Sequence, residues 1–189
     1  MEVVALLTSM QFENKSRDIV LMGRIDESNV KSAIEKIVEI NSFDDLKEKE
    51  IANYVRKPIY LYISTFGGCV YTGISLIGII QTSKTKIITI GLGKIMSMGL
   101  YIFLCGHERQ VHKFSTFLYH EISSIVWDKL EGIKQDLEED QRLQDLLDSF
   151  LLEKTSITRD KIEEIKKAKK DWYIPATEAI KFGIADKII

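Results

Sequence analysis

Lys86-Ile87-Ile88-Thr89-Ile90-Gly91-Leu92-Gly93-Lys94-Ile95-Met96-Ser97-Met98-Gly99-Leu100-Tyr101 changes character half-way along. The run up to Ile90 is β-branched and apolar on both faces, the pattern of a strand buried inside a sheet. Beyond Ser97, Met98-Gly99 leads into an apolar, helix-like run over residues 100–105 that Gly106 closes. The spacing predicts a sharp strand-to-helix turn with Ser97 at its apex. A hydroxyl there lies beside the unpaired N–H groups of a first helical turn, which can bind a developing anion. Two readings of Ser97 stay open on this segment. It is a helix N-cap, a position serine favours, or a nucleophile, if a base and an orienting acid exist elsewhere.

The same alternation extends outward. Residues 19–23 and 59–63 are strand-like, as are residues 114–119. Residues 29–40 and 71–82 carry apolar side chains at helical spacing, with Val30, Ala33, Ile34, Ile37 and Val38 on the first and Ile74, Leu76, Ile77, Ile79 and Ile80 on the second. Strands apolar on both faces that alternate with helices indicate an α/β protein with a parallel sheet covered on both sides. The charged stretch 43–57, ending at Pro58, reads as a helix fragment or loop insertion. Residues 124–152 form one long helix candidate, with Val126, Leu130, Ile133, Leu137, Leu143, Leu147 and Phe150 at three-to-four-residue steps and one slip around Asp140. That stripe packs on its own domain or against a neighbouring subunit; periodicity does not separate the two.

Composition narrows the class. A chain of 189 residues, 45% hydrophobic and 29% charged, fits one domain, 1–189, with a sizeable core. A net charge of -2 gives no reason to expect nucleic acid or an anionic membrane as partner. Residues 1–8 carry an acid where a signal peptide has its basic region, and no apolar run approaches the ~20 residues that span a bilayer. A cytoplasmic location is the expectation. Cys69 and Cys105 read as small buried residues of a reducing compartment, not as a disulfide pair. No clustered spacing suggests a metal site.

Three further positions carry chemistry. Gly67-Gly68 after a strand lets backbone approach a ligand closely, although such pairs are often plain turns. His120 ends an apolar strand and reads equally as a base or as a hydrogen-bonded structural residue. Asp171, before Trp172-Tyr173-Ile174-Pro175, is by itself most simply a solvated cap.

Together these elements resemble the Clp protease proteolytic subunit (ClpP) family in type, order and spacing. Tyr60-Leu61-Tyr62-Ile63-Ser64-Thr65-Phe66-Gly67-Gly68-Cys69-Val70 is similar to that family's Tyr-Leu-Tyr-Ile-Asn-Ser-Pro-Gly-Gly-Ser-Val. Gly93-Lys94-Ile95-Met96-Ser97-Met98-Gly99 resembles its Gly-Gln-Ala-Ala-Ser-Met-Gly. Arg109 matches the arginine of the histidine signature, Asp171-Trp172-Tyr173 falls on Asp-Arg-Phe, and residues 177–186 match the family's C-terminal block. The resemblance implies a ClpP/crotonase-like superhelix of repeated β-β-α units with a protruding handle helix at about 124–152. It implies a serine endopeptidase with Ser97 as nucleophile, His120 as general base and then acid, and Asp171 orienting the imidazole. Gly68 and Met98 would supply the backbone N–H groups of the oxyanion hole. It further implies heptameric rings stacked as a tetradecamer around a chamber, with unfolded polypeptide as substrate. No cofactor is expected, ATP being used only by a separate AAA+ Clp ATPase partner.

Departures from the pattern keep other functions in view. His-Gln-Pro is here His120-Glu121-Ile122, which sets a carboxylate beside the base. The glycine-rich segment that follows is replaced by Ser123-Ser124-Ile125-Val126-Trp127-Asp128. A non-catalytic ring subunit would be expected to lack Ser, His or Asp, and all three are present. An acyl-CoA enzyme on the crotonase fold shares the paired N–H groups but usually uses Glu or Asp as base. A Ser–Lys peptidase would leave His120 without a role.

Overall fold

In the computed structural model, residues 16–125 and 127–189 are described. The N-terminal apolar run at residues 1–8 and Val126 lie outside them. Five strands form the main parallel path. β1 (Asp18–Ile25) pairs with β2 (Ile59–Gly68), β2 with β3 (Ile87–Met96), β3 with β4 (Glu108–Val111), and β4 with β7 (Lys187–Ile188). β3 serves two neighbours: Ile88 to Gly91 pair with β4, whereas Lys94 to Met96 pair with β5 (Thr116–Tyr119). β6 (Trp172–Pro175) adds to β5 antiparallel. The sheet therefore divides along β3, and the chain leaves its far end at Ser97.

Alternation decides what each strand buries. Ile59, Leu61, Ile63 and Thr65 of β2 point into the core, together with Leu21 and Ile25 of β1 and Ile87 and Ile95 of β3. Against them pack α1 (Glu27–Glu50), capped by Asp26 through Asn29 N–H at 3.0 Å, and α2 (Val70–Thr82). α3 (Met98–Leu104) is buried at every residue and fills the centre.

The element pattern follows the sequence in the first half, with two corrections. The charged stretch 43–57 is not a separate fragment, because α1 runs on to Glu50. It is held there by Asp44, which accepts from Arg17, Tyr54 and Thr85, and by Arg56 on Asp45 and Glu48. Cys69 is exposed rather than buried, since the chain turns outward after Gly68 to start α2; Thr72 holds its thiol below its ordinary pKa. Cys105 is buried as expected, and burial pushes its thiol up to about 12.

The second half departs further. The handle helix, α4, spans Leu130–Lys154 rather than 124–152, and residues 121–125 carry no secondary structure, with Ile122 and Ser124 bonded to it. Its stripe splits in two. Leu143, Leu147 and Leu151 are buried on the chain's own core, while Leu130 (73% exposed) and Leu137 (68%) face outward. α5 (Arg159–Ala168), capped by Thr158, follows, and then α6 (Ala176–Lys181). Arg109 and Asp186 lock the C-terminus to β4. Arg109 donates through Nη2 and Nε to the carboxylate at 2.5 and 3.1 Å, its backbone N–H donates at 2.8 Å, and its Nη1 donates to the Gly183 carbonyl at 2.9 Å. These two residues of the resemblance are structural.

Candidate active site

Ser97 sits at the N-cap position of α3, yet its side chain makes no capping hydrogen bond. Its backbone has φ 53° and ψ -126°, a conformation that costs a non-glycine residue about 1–3 kcal/mol and persists only when the surroundings enforce it. They do. Ser97 N–H donates to the Leu118 carbonyl at 2.9 Å, its carbonyl accepts from Leu100 N–H at 2.9 Å, and the apolar helix behind it is wholly buried. A serine in a strained strand-to-helix turn is the geometry that projects a nucleophile out of a sheet. The turn predicted from sequence is present, and its hydroxyl does not cap.

The glycine pair closes in from β2. A Cβ on Gly67, whose φ is +99°, would lie 2.6 Å from the Ser97 Cβ and 3.1 Å from its Oγ. A Cβ on Gly68 would lie 2.3 Å from the Ile25 carbonyl oxygen. Only glycine allows β2 to pass between β1 and the serine at these distances. Thr65 stiffens the passage, because its buried Oγ1 donates to the Gly23 carbonyl at 2.5 Å and accepts from Gly67 N–H at 2.9 Å. Met98 is the first residue of α3, where a backbone N–H has no intrahelical acceptor.

A cavity of about 60 Å³ joins these pieces. It is lined by Gly68, Ser97, Met98 and His120, four of the five residues expected from sequence, together with Val70, Tyr101, Ile122, Ser123, Gln144 and Leu147. Asp171 does not line it. The antiparallel register pairs Tyr119 with Trp172, so His120 and Asp171 occupy the next position along the two chains. Asp171 is exposed, and among the described residues no hydrogen bond joins His120 to Ser97 or to Asp171. Such bonds often tighten only with substrate bound.

Sequence reasoning missed the helix side of the cavity. Gln144 and Asp148 of α4 are buried at 5% and 4% exposure. The signal was there: polar residues at 140, 144 and 148 recur every fourth position inside an apolar stripe, which is also where the stripe slips. Among the described residues no cluster of three or more His, Cys, Asp or Glu could hold a metal ion, and no helix is long and apolar enough to cross a membrane.

The divided parallel sheet, the buried helix behind Ser97 and the projecting α4 define a ClpP/crotonase-like α/β fold. The solved structure of an asparagine-to-aspartate mutant of ClpP1 from Listeria monocytogenes superposes with a TM-score of 0.76 at 19% identity, covering 100% of this chain and 96% of that one. A family model for Clp protease matches residues 4–189, and the chain belongs to that family. Among its relatives, ATP-dependent Clp protease proteolytic subunit 2 of Pseudomonas aeruginosa is 26% identical over 182 residues, covering 95% of this chain and 84% of that protein. Proteolytic subunit 3 of a Synechococcus strain is 31% identical over 136 residues, covering 70% of this chain and 67% of that protein. Family and fold together support a Clp protease-type peptidase.

Proposed function

We propose that the chain is a serine endopeptidase acting through Ser97, His120 and Asp171. The observation that carries this is the strained Ser97 sharing one small cavity with His120, Gly68 and Met98. In this reading His120 takes the Ser97 Oγ proton as the oxygen attacks a peptide carbonyl carbon. The oxyanion of the tetrahedral intermediate is received by the N–H groups of Gly68 and Met98. His120 then returns the proton to the leaving amine, and water hydrolyses the acyl-enzyme by the same steps in reverse. Asp171, one position beyond the Tyr119–Trp172 pair, orients the imidazolium. Each oxyanion donor is worth about 10²–10³ in rate. The chemistry uses no cofactor of the chain's own, and 1–189 acts as one peptidase domain.

The outward apolar half of α4, with Ile125 and Trp127 fully exposed beside it, supports the use of the handle in pairing rings. A heptameric double ring enclosing a chamber, fed with unfolded polypeptide by an AAA+ Clp ATPase in the cytoplasm, is the assembly that fits. One observation favours a second reading, a non-catalytic ring subunit: Asp171 is exposed and unlinked to His120.

A serine-directed fluorophosphonate, read by intact mass, separates the two. Labelling of the wild type that is lost in Ser97→Ala and slowed at least about 10³-fold in His120→Ala is the expected result. Labelling that survives Ser97→Ala, or is absent from folded, assembled wild type, overturns the peptidase. Light scattering reads the assembly, and a stable 21.7 kDa monomer contradicts the chamber.

A further inference from the structure

His120 opens a stretch without secondary structure just beyond β5, and three side chains of one helix hold the chain on either side of it. Asp140, Gln144 and Asp148 lie at successive four-residue steps on α4 and so share one face. Each grips a different point around the histidine. The Tyr119 hydroxyl donates to Asp148 Oδ1 at 2.8 Å, Ile122 N–H donates to Gln144 Oε1 at 2.7 Å, and the Ser124 hydroxyl donates to Asp140 Oδ2 at 2.5 Å. The two inner rungs are fused, since Gln144 Nε2 donates to Asp148 Oδ1 at 2.8 Å. Lys166 of α5 closes the far side of Asp148 at 2.5 Å.

We infer that Gln144 and Asp148 are positioning residues for His120, fixing the chain immediately before and after it so that the imidazole is presented to Ser97. This rests on the serine-peptidase reading above. Two features separate the ladder from ordinary packing. It grips the hydroxyl of Tyr119 and the backbone of Ile122, residues one before and two after His120, and leaves the ring itself free to move protons. Gln144 also lines the cavity that holds Ser97. β5 ends at Tyr119, so beyond that residue no strand pairing holds the histidine in place. Burial and the Asp148 carboxylate push the Tyr119 phenol well up, which keeps it a donor at every working pH. The handle helix thereby reports its own position to the base, by a route separate from Asp171.

The test uses the full chain in its assembled form. Tyr119→Phe removes one hydroxyl and leaves Asp148 with Gln144 and Lys166, so the fold survives; Gln144→Met removes the acceptor for Ile122 N–H. Fluorophosphonate labelling of Ser97 and kcat on a fluorogenic peptide should fall about ten-fold in the first and about 10²-fold in the second, with KM unchanged. A purely structural role would lower the melting temperature and the assembled fraction while leaving kcat per assembled ring intact, and that result overturns the inference. A labelled wild type whose two variants label at its own rate removes this inference alone. An unlabelled wild type removes the peptidase reading, and the inference with it.

Discussion

The two sides of the cavity are built by different means. The nucleophile side is backbone: Gly67, Gly68, Ser97 and Met98 lie on consecutive strands and a helix start, held by ladder hydrogen bonds and by the absence of side chains. The base side is made of side chains: His120 stands at a strand end, tied down by Tyr119, Ile122 and Ser124 to residues sixteen to twenty-nine positions away. A backbone-built site breaks when an atom is added. A side-chain-built site breaks when a partner is removed. The two therefore fail through opposite kinds of mutation.

The largest effect belongs to the first kind. Gly67→Ala adds one carbon at 2.6 Å from the Ser97 Cβ and demands a φ of +99° from alanine. Overpacking and backbone strain together should cost about 3 kcal/mol, measured by urea unfolding. Because Ser97 must shift, labelling should fall at least about 10²-fold. Normal labelling in Gly67→Ala would show that the glycine passage does not set the serine.

The second kind comes next. Lys166→Met leaves Asp148 buried with its Lys partner gone and only Tyr119 and Gln144 donating. Breaking a fully buried pair costs about 3–5 kcal/mol. Lys166 keeps 16% of its side chain exposed and Asp148 keeps two donors, so about 2 kcal/mol is expected, again by urea unfolding. Burial works against the Lys166 ammonium, but the hydrogen bond and charge of Asp148 outweigh it and raise its pKa. A change of under about 0.5 kcal/mol, the size of an ordinary surface substitution, would mean that the ladder stands without its anchor.

This difference also explains what could be read from the residues alone. The strand-to-helix turn at Ser97 and the Gly67-Gly68 passage were legible because backbone geometry is written locally, in glycines and in a change of period. The core strands β1, β2 and β3 were legible for the same reason. β4 (Glu-Arg-Gln-Val) was not, since its pairing is set by β3 and β7 and its residues carry no apolar alternation. α5 was legible in principle, because its buried Ile162 and Ile165 stand about one turn apart in a strongly amphipathic ten-residue stretch that Thr158 caps. The start of α4 moved from 124 to Leu130 because Ile122 N–H and the Ser124 hydroxyl bond to side chains of the helix instead of continuing it. Gln144 and Asp148 looked like breaks in an apolar stripe; their role depends on partners that only folding brings near.

A smaller effect tests a region distant from both sides. Burial pushes the Asp186 carboxyl up, but the side-chain and backbone hydrogen bonds of Arg109 outweigh it and hold it below its ordinary value near 3.8. A depressed folded pKa means that the contribution is fully present above about pH 4 and is lost as pH falls through the folded value. Asp186→Asn should therefore flatten the acid limb of the stability curve. Its carboxylate is 40% exposed, so screening keeps the loss at neutral pH to about 1 kcal/mol or less. Asp44, whose burial likewise works against its carboxylate but is outweighed by the bonds from Arg17, Thr85 and Tyr54 together, adds to the same limb. An unchanged acid midpoint in Asp186→Asn would leave Asp44 and the carboxylates that cationic partners also hold low, Asp45, Glu48, Glu108 and Glu139, as its source.

The smallest effect is the most discriminating for the comparison. Ser124→Ala removes the outer rung of the ladder, a bond between solvent-exposed groups at 2.5 Å. Exposed hydrogen bonds exchange readily with water, so its stability cost should be under about 0.5 kcal/mol. The rung sits four residues beyond His120, with Ile122 clamped between them, so its loss should not reach the imidazole. Labelling of Ser97 should stay within about two-fold of the wild type, in contrast to the inner rungs. If Ser124→Ala instead slows labelling as much as Gln144→Met, then the whole segment after His120 moves as one body with α4. The base side would then be set by the docking of that segment rather than by the two buried contacts that flank His120.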